Sequence, residues 1–190
     1  MIILASQSPR RQELLNQIKI PHQVVKVEVD ETPIRNESPR DYVRRVSLEK
    51  AQAGRQLVPD KAILAADTCV VKGNNILGKP QDMNHALAML QQLSATTHEV
   101  LTGVALLFED QEYYRLSSSQ VQFREITTDE ARQYWETGEP QGKAGGYAIQ
   151  GMGALFIEHI AGSYSGIMGL PLFETGQLLE KLYGKTGQYS

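Results

Sequence analysis

Residues 61–71, KAILAADTCVV, constrain this chain more than any other stretch, because apolar and small side chains continue almost unbroken on both sides of a single acid, Asp67. A run that is apolar at successive positions belongs to a strand covered on both faces, so it predicts the centre of a sheet flanked by helices. A carboxylate in such a strand is costly unless it is paired, bound to a metal, or set at the strand's end facing a cleft. Aspartates also end strands for purely structural reasons. The residues that accompany Asp67 therefore decide what it does.

The rest of the pattern builds a sheet around that strand. Residues 2–5 read as a short buried strand feeding a helix at Ser6-Gln7-Ser8-Pro9, with Ser8 as cap, Pro9 at the first helical position, and Leu14, Leu15 and Ile18 as the apolar stripe. A second strand over 23–29 leads to the acidic turn Asp30-Glu31-Thr32-Pro33. Ser38-Pro39 opens another helix, in which Tyr42, Val43, Val46 and Ala53 recur at helical spacing up to Gly54. Gly73-Asn74-Asn75 predicts a hairpin into 76–80, and 85–93 an amphipathic helix with Ala86, Met89, Leu90 and Leu93 on one side. Strands follow over 99–108 and 113–126, then a capping box of Thr127 and Glu130 with a helix closed by Gly138. Two glycine-rich stretches, 142–153 and 162–169, flank a strand at 155–160, and a helix over 173–183 ends at Gly184. This order predicts an α/β fold, a mixed twisted sheet flanked by helices, with a cleft between two lobes. With no repeat or linker, residues 1–190 are expected to form one domain.

Composition narrows the function by exclusion. The single cysteine, Cys69, cannot form an intrachain disulfide and reads as a small buried residue in a reducing compartment. The four apolar residues at 2–5 are too few for a signal peptide or a membrane span, so a cytoplasmic location is expected. A net charge of -3 argues against broad DNA or RNA binding, although Arg10 and Arg11 can still grip a small polyanion.

The turn Ser6-Gln7-Ser8-Pro9-Arg10-Arg11 is a natural phosphate cradle: hydroxyls, free amides at a helix N-terminus, and two forked guanidinium groups. A plain helix cap with solvated arginines is the competing reading. Lys50 and Lys79 are candidate phosphate partners, although most lysines are merely solvated. Asp67 can bind a divalent cation, accept a proton from an attacking water, or do both. Glu31 is a possible second metal-associated carboxylate, with an exposed turn residue as the simpler reading. The glycine density of 143–151 and 162–166 suggests backbone close to a ligand, where Gln150 can read a base edge with its donor and acceptor, with a plain flexible loop as the competing reading. His22, His85, His98 and His159 show no metal-ligand spacing and receive no role.

Taken in order, Ser6-Gln7-Ser8-Pro9-Arg10-Arg11, Leu48-Glu49-Lys50-Ala51, Ala65-Ala66-Asp67-Thr68, Gly78-Lys79-Pro80 and the stretches 143–151 and 162–172 resemble the motifs of the Maf family of nucleotide pyrophosphatases. The resemblance implies an inosine-triphosphatase-like fold, a divalent cation (Mg2+ or Mn2+), a homodimer, and hydrolysis of free nucleoside triphosphates to the monophosphate and pyrophosphate. It implies Asp67 as proton acceptor, Arg10, Thr68 and Gln150 as tuners of substrate choice, and Ser6, Arg11, Glu31, Lys50 and Lys79 around the phosphates and metal, beside the Ser8 hydroxyl that the cradle turn itself offers. Ile149-Gln150-Gly151 with Arg10-Arg11 resembles the branch acting on dTTP and UTP, since a glutamine amide complements the carbonyl–NH–carbonyl edge of those bases. The alternatives are the 7-methyl-GTP branch and a nucleotide-binding regulator of septum formation.

Overall fold

Residues 1–184 are described by the computed structural model of the chain. Its strands are β1 (Ile2–Ala5), β2 (His22–Val25), β3 (Ile63–Lys72), β4 (Asn75–Leu77), β5 (Thr97–Phe108), β6 (Gln111–Phe123) and β7 (Ile157–Ala161). Its α-helices are α1 (Pro9–Gln17), α2 (Pro39–Leu57), α3 (Met83–Leu93), α4 (Thr128–Glu136), α5 (Tyr164–Met168) and α6 (Leu172–Tyr183). One sheet runs in the order β2-β1-β3-β5-β6-β7, with β4 hairpinned onto β3. The β1–β2 and β1–β3 pairs are parallel and the others antiparallel, the mixed α/β sheet that the sequence pattern predicts.

The 61–71 run is indeed an inner strand, and its alternation assigns each face. Ile63, Ala65, Cys69 and Val71 pack with Ala51, Val43 and Val46 of α2. Leu64 and Ala66 turn the other way, onto Leu14 and Leu15 of α1 and Leu178 and Leu179 of α6. Further along the sheet, Val70, Val100, Val121 and Phe123 pack with Leu90 and Leu93 of α3 and Tyr134 of α4.

Two of the expected helix starts hold, and one differs. Ser38 caps α2 by accepting from the Asp41 amide, and Thr127 with Glu130 forms the complete capping box of α4. Ser8 occupies the cap position of α1 without a capping bond from its side chain; instead its own amide donates to Ser6 Oγ at 3.1 Å. The second strand stops at Val25, so residues 27–29 lead as loop to Glu31. Helix α2 continues past Gly54 to Leu57, and its buried stripe runs through Lys50, Ala51 and Gly54 rather than Ala53. Within the second glycine-rich stretch, Ser163 caps the short helix α5.

The register between β1 and β3 creates the site. Only Ile3 and Leu4 pair with β3, opposite Ile63 and Leu64, and β1 ends at Ala5 while β3 continues to Lys72. The edge of β3 at Asp67 and Thr68 is thus paired on the β5 side and open where β1 has stopped. Gly103 stands opposite Asp67 across the β3–β5 pair, and a Cβ there would lie 2.8 Å from the Val43 carbonyl of α2. Replacing Gly103 by alanine should therefore push α2 away from the sheet and cost about 1–3 kcal/mol, read as a lower urea midpoint by far-ultraviolet circular dichroism.

Candidate active site

The gap beyond β1 opens into a cleft of about 1130 Å³. Asp67 and Thr68 line it together with the Ser6–Arg11 turn, Glu31, Lys50, Lys79 and the 142–151 loop. Every residue singled out in the sequence as a site candidate borders this one cavity.

Asp67 is 5 % exposed and shares its sheet face with Ala65 and Cys69, which turns it towards α2. Lys50 lies on the buried stripe of that helix and donates from Nζ to Asp67 Oδ1 at 2.6 Å. The other oxygen, Oδ2, is buried without a hydrogen-bond partner among the described residues. Such an orphaned acceptor on a cavity wall is costly to leave unpaired, and it marks where a proton donor or a cation is received.

Lys50 also reaches Glu31 Oε1 at 2.7 Å, and Lys79 meets Glu31 Oε2 at 2.7 Å. Glu31 is therefore not the solvated turn residue that its acidic setting favours; it bridges two lysines, and Tyr42 pins its backbone carbonyl at 3.0 Å. Burial alone would raise the Glu31 carboxyl, but the bonds to Lys50 and then Lys79 outweigh it and hold the group at about 2. The charges alternate along the row Lys79, Glu31, Lys50, Asp67, so each ion has a neighbour of opposite sign.

On the opposite face, Arg11 closes the gap between α1 and β3. Its Nε donates to the Gly169 carbonyl at 2.8 Å, Nη1 to Ser6 Oγ at 3.2 Å, and Nη2 to Thr68 Oγ1 at 3.4 Å. Burial draws the guanidinium below its ordinary value while Asp67 pulls it back. The Thr102 hydroxyl gives its hydrogen to the Gly166 carbonyl at 2.8 Å, so at 2.9 Å it accepts from Thr68. Thr68 accordingly meets Arg11, and any ligand, as an acceptor.

Ser6 is buried and accepts from both the Ser8 amide and Arg11, which leaves its own hydrogen for a further acceptor. The amide of Ser8 is consumed within the turn, so the cradle offers one N–H fewer than its sequence promises. Arg10 lines the cleft without a hydrogen bond or ion pair among the described residues, lowered by burial and only partly restored by Glu13. Gln150 is exposed at the cleft wall.

The 144–151 segment lies close to the sheet. A Cβ at Gly145, whose φ is 67°, would fall 2.8 Å from Val70 of β3. Tyr147 is held at 2.8 Å by His98 Nε2. Burial keeps that imidazole down at about 4, so His98 acts as a neutral anchor, a structural duty that metal-ligand spacing could not reveal. Sequence reasoning also missed Glu139 and Tyr134, which hold the same loop from behind. The one available signal was Glu139-Pro140 placed just ahead of the glycines. Cys69 is buried, and burial raises its thiol well above the ordinary value, so it stays an inert core group.

An open cleft with cations on both sides of a buried carboxylate is the equipment of an α/β protein that binds and hydrolyses a polyphosphate. A family model described as Maf-like protein matches residues 1–182, and the chain belongs to the Maf family. The dTTP/UTP pyrophosphatase of Alkalilimnicola ehrlichii is 54% identical over 189 residues, covering 95% of this chain and 92% of the relative. That of Methylococcus capsulatus is 51% identical over 182 residues, covering 95% and 90%. Among solved structures, the Staphylococcus aureus Ham1 protein aligns with 67% of this chain and 72% of its own at 14% identity, with a TM-score of 0.45.

The row of alternating charges sets a pH dependence. Folding depresses the Glu31 carboxyl from 4.5 to about 2, so its contribution to stability is complete above about pH 4.5 and lost as pH falls towards 2. Urea unfolding at a series of pH values should find Glu31→Gln less stable than wild type at pH 7, with the gap closing through that acid window.

Proposed function

We propose that this chain hydrolyses dTTP and UTP between the α- and β-phosphates, releasing the nucleoside monophosphate and pyrophosphate. The observation that carries this reading is Asp67: a carboxylate on the wall of a cation-lined cleft, held by Lys50 through one oxygen and unpartnered at the other. The relatives that share about half of its residues, named for this activity, support the same conclusion.

In this reading the triphosphate lies along the Ser6–Arg11 turn, with Ser6 and Ser8 hydroxyls, Arg10, Arg11, Lys50 and Lys79 as its phosphate contacts. Water attacks the α-phosphorus, its proton passes to Asp67 Oδ2, the new P–O bond forms, and the bond to the bridging oxygen breaks as pyrophosphate leaves. Lys50 fixes the orientation of the acid so that Oδ2, not Oδ1, receives the proton. Arg11 is held by the Gly169 carbonyl, so it meets developing charge without having to reorganise.

A divalent cation, Mg2+ or Mn2+, fits the donor set. Asp67 Oδ2 is a hard carboxylate oxygen left unpartnered, while Asp67 Oδ1 and both Glu31 oxygens are held by lysines, and no group of three or more His, Cys, Asp or Glu residues suited to metal occurs among the described residues. Magnesium is commonly held by one or two carboxylates together with substrate phosphates and water. When bound, it neutralises phosphate charge and polarises the phosphoryl group.

Gln150 reads the base, since its amide complements the carbonyl–NH–carbonyl edge of thymine and uracil. Thr68 and Arg10 contribute to substrate choice. The reading extends to one domain of two lobes working on free nucleotides in the cytoplasm, not on DNA, RNA or a membrane, as a homodimer. The family resemblance supports the assembly; among the described residues no helix is long and apolar enough to cross a membrane.

A panel of dTTP, UTP, CTP and 7-methyl-GTP with magnesium or manganese, scored separately for pyrophosphate and orthophosphate, tests the assignment. Pyrophosphate from dTTP and UTP is expected, with Asp67→Asn slower by about 10²–10⁴-fold and Gln150→Glu shifted towards the guanine nucleotide. Orthophosphate as the sole product, or binding without turnover, would overturn the proposal.

A further inference from the structure

The loop that carries Gln150 is fastened from behind by one acid and one phenol. Glu139 accepts from the Met152 amide at Oε2, 2.9 Å away, and from the Gly153 amide at Oε1, 3.0 Å away. Tyr134 donates to Glu139 Oε1 at 2.6 Å and accepts from the Ala148 amide at 3.1 Å. The hydrogen directions are fixed, because an amide only donates and the phenol has a single hydrogen to give. Glu139 faces three donors, so it serves as an ionised acceptor. Burial alone would raise its carboxyl, but the bonds from Tyr134, Gly153 and Met152 hold it below its ordinary value.

The fit is close. A Cβ at Gly151 would sit 2.2 Å from Glu139 Oε2, so only glycine lets the loop lie against the carboxylate. Tyr134 is locked in turn by edge-to-face packing on Phe156, their centroids 5.1 Å apart. Glu139 also borders the cleft, yet it forms no ion pair among the described residues. An unpaired acid beside a polyphosphate site opposes binding by repulsion, so its presence requires a compensating duty. That duty is written in its partners: Glu139 satisfies the Met152 and Gly153 amides beyond Gln150 while its partner Tyr134 satisfies the Ala148 amide before it, and among the described residues Glu139 makes no hydrogen bond or ion pair with Lys50, Asp67, Glu31 or Arg11.

We propose that Glu139, backed by Tyr134, is a positioning residue for base selection: it clasps the 148–153 loop and so sets how Gln150 meets the pyrimidine edge. This rests on the dTTP/UTP reading given above. Loosening the clasp leaves Lys50, Asp67 and Arg11 in place, so it degrades discrimination between bases rather than the chemical step.

UTP and CTP differ only at that base edge, which makes them the probe pair. Glu139→Gln, Tyr134→Phe and Gly151→Ala are each made in the full chain, and kcat and KM are measured for both nucleotides by pyrophosphate release. Glu139→Gln and Gly151→Ala should lower the UTP-over-CTP ratio of kcat/KM by about tenfold, mainly through a raised KM for UTP, with kcat within about threefold of wild type. Tyr134→Phe keeps the ring on Phe156 and should move the ratio the same way by less. An unchanged ratio in folded Gly151→Ala and Tyr134→Phe overturns the clasp even if Glu139→Gln fails to fold, as does a fall in kcat equal for both nucleotides. Wild type that releases no pyrophosphate from UTP removes the activity and the clasp together; wild type that separates UTP from CTP while the variants do so equally well removes the clasp alone.

Discussion

A negative charge in the middle of a buried strand has to be answered from within the fold, and Lys50 answers it. The 2.6 Å contact between Lys50 and Asp67 joins the long helix α2 to β3 at a point where neither ion is well hydrated. Removing Lys50 would strand the Asp67 charge, at a cost of about 3–5 kcal/mol, whereas Lys50 keeps Glu31 as a second partner. The helix must therefore lie flush on the sheet, which explains the small residues where they meet: Gly103 of the sheet under the Val43 carbonyl, and Gly54 of the helix against Ile63 and Ala5. Glu31 and Lys79 then extend the alternation of charge outward to solvent, so the pair at the centre is the buried end of a longer row.

The second organising feature is a strand that is too short. Because β1 ends at Ala5, β3 runs on with one edge uncovered, and the two faces of β3 bring different chemistry to the same opening. The α2 face supplies Asp67 and its lysine; the opposite face supplies Thr68, reached by Arg11 from α1. Arg11 spans the gap and ties the first turn of the chain to Gly169, 158 residues later. The cation is thereby fixed before any anion arrives, which is the condition for electrostatic stabilisation without reorganisation. The last wall of the cleft is loop rather than sheet, and its amides are held by Tyr134 and Glu139 while His98 holds Tyr147. Rigid backing holds the backbone of this glycine-rich loop in its close approach to the sheet.

What could be read in advance follows from the range of the physics. The inner strand, the four buried positions of α3, the hairpin at Gly73, the capping box at Thr127 and the Gly184 stop are local signals, carried by periodicity or by a turn's demand on φ, and the structure keeps them. Asp67 stood out because its neighbours are apolar. Lys50 is legible only in part: its motif marks it as a phosphate candidate, but its position on the buried stripe of α2 depends on where that stripe lies once the helix meets the sheet. Ser8 shows the limit in the other direction, since a cap position is local but the partner chosen by the amide was Ser6.

The sequence by itself determined the α/β class, the family, the acid at 67 and the set of residues from which a phosphate site can be drawn, because spacing, propensity and the penalty for a buried charge act over a few residues. Only the tertiary structure decided which of those residues meet. It paired Glu31 with two lysines, turned Thr68 into an acceptor, joined Arg11 to Gly169, and set Glu139 and Tyr134 behind the 148–153 loop. Each of these is a contact between distant parts of the chain, fixed by where β1 stops and how α2 lies on the sheet, and no window of neighbouring residues contains that information.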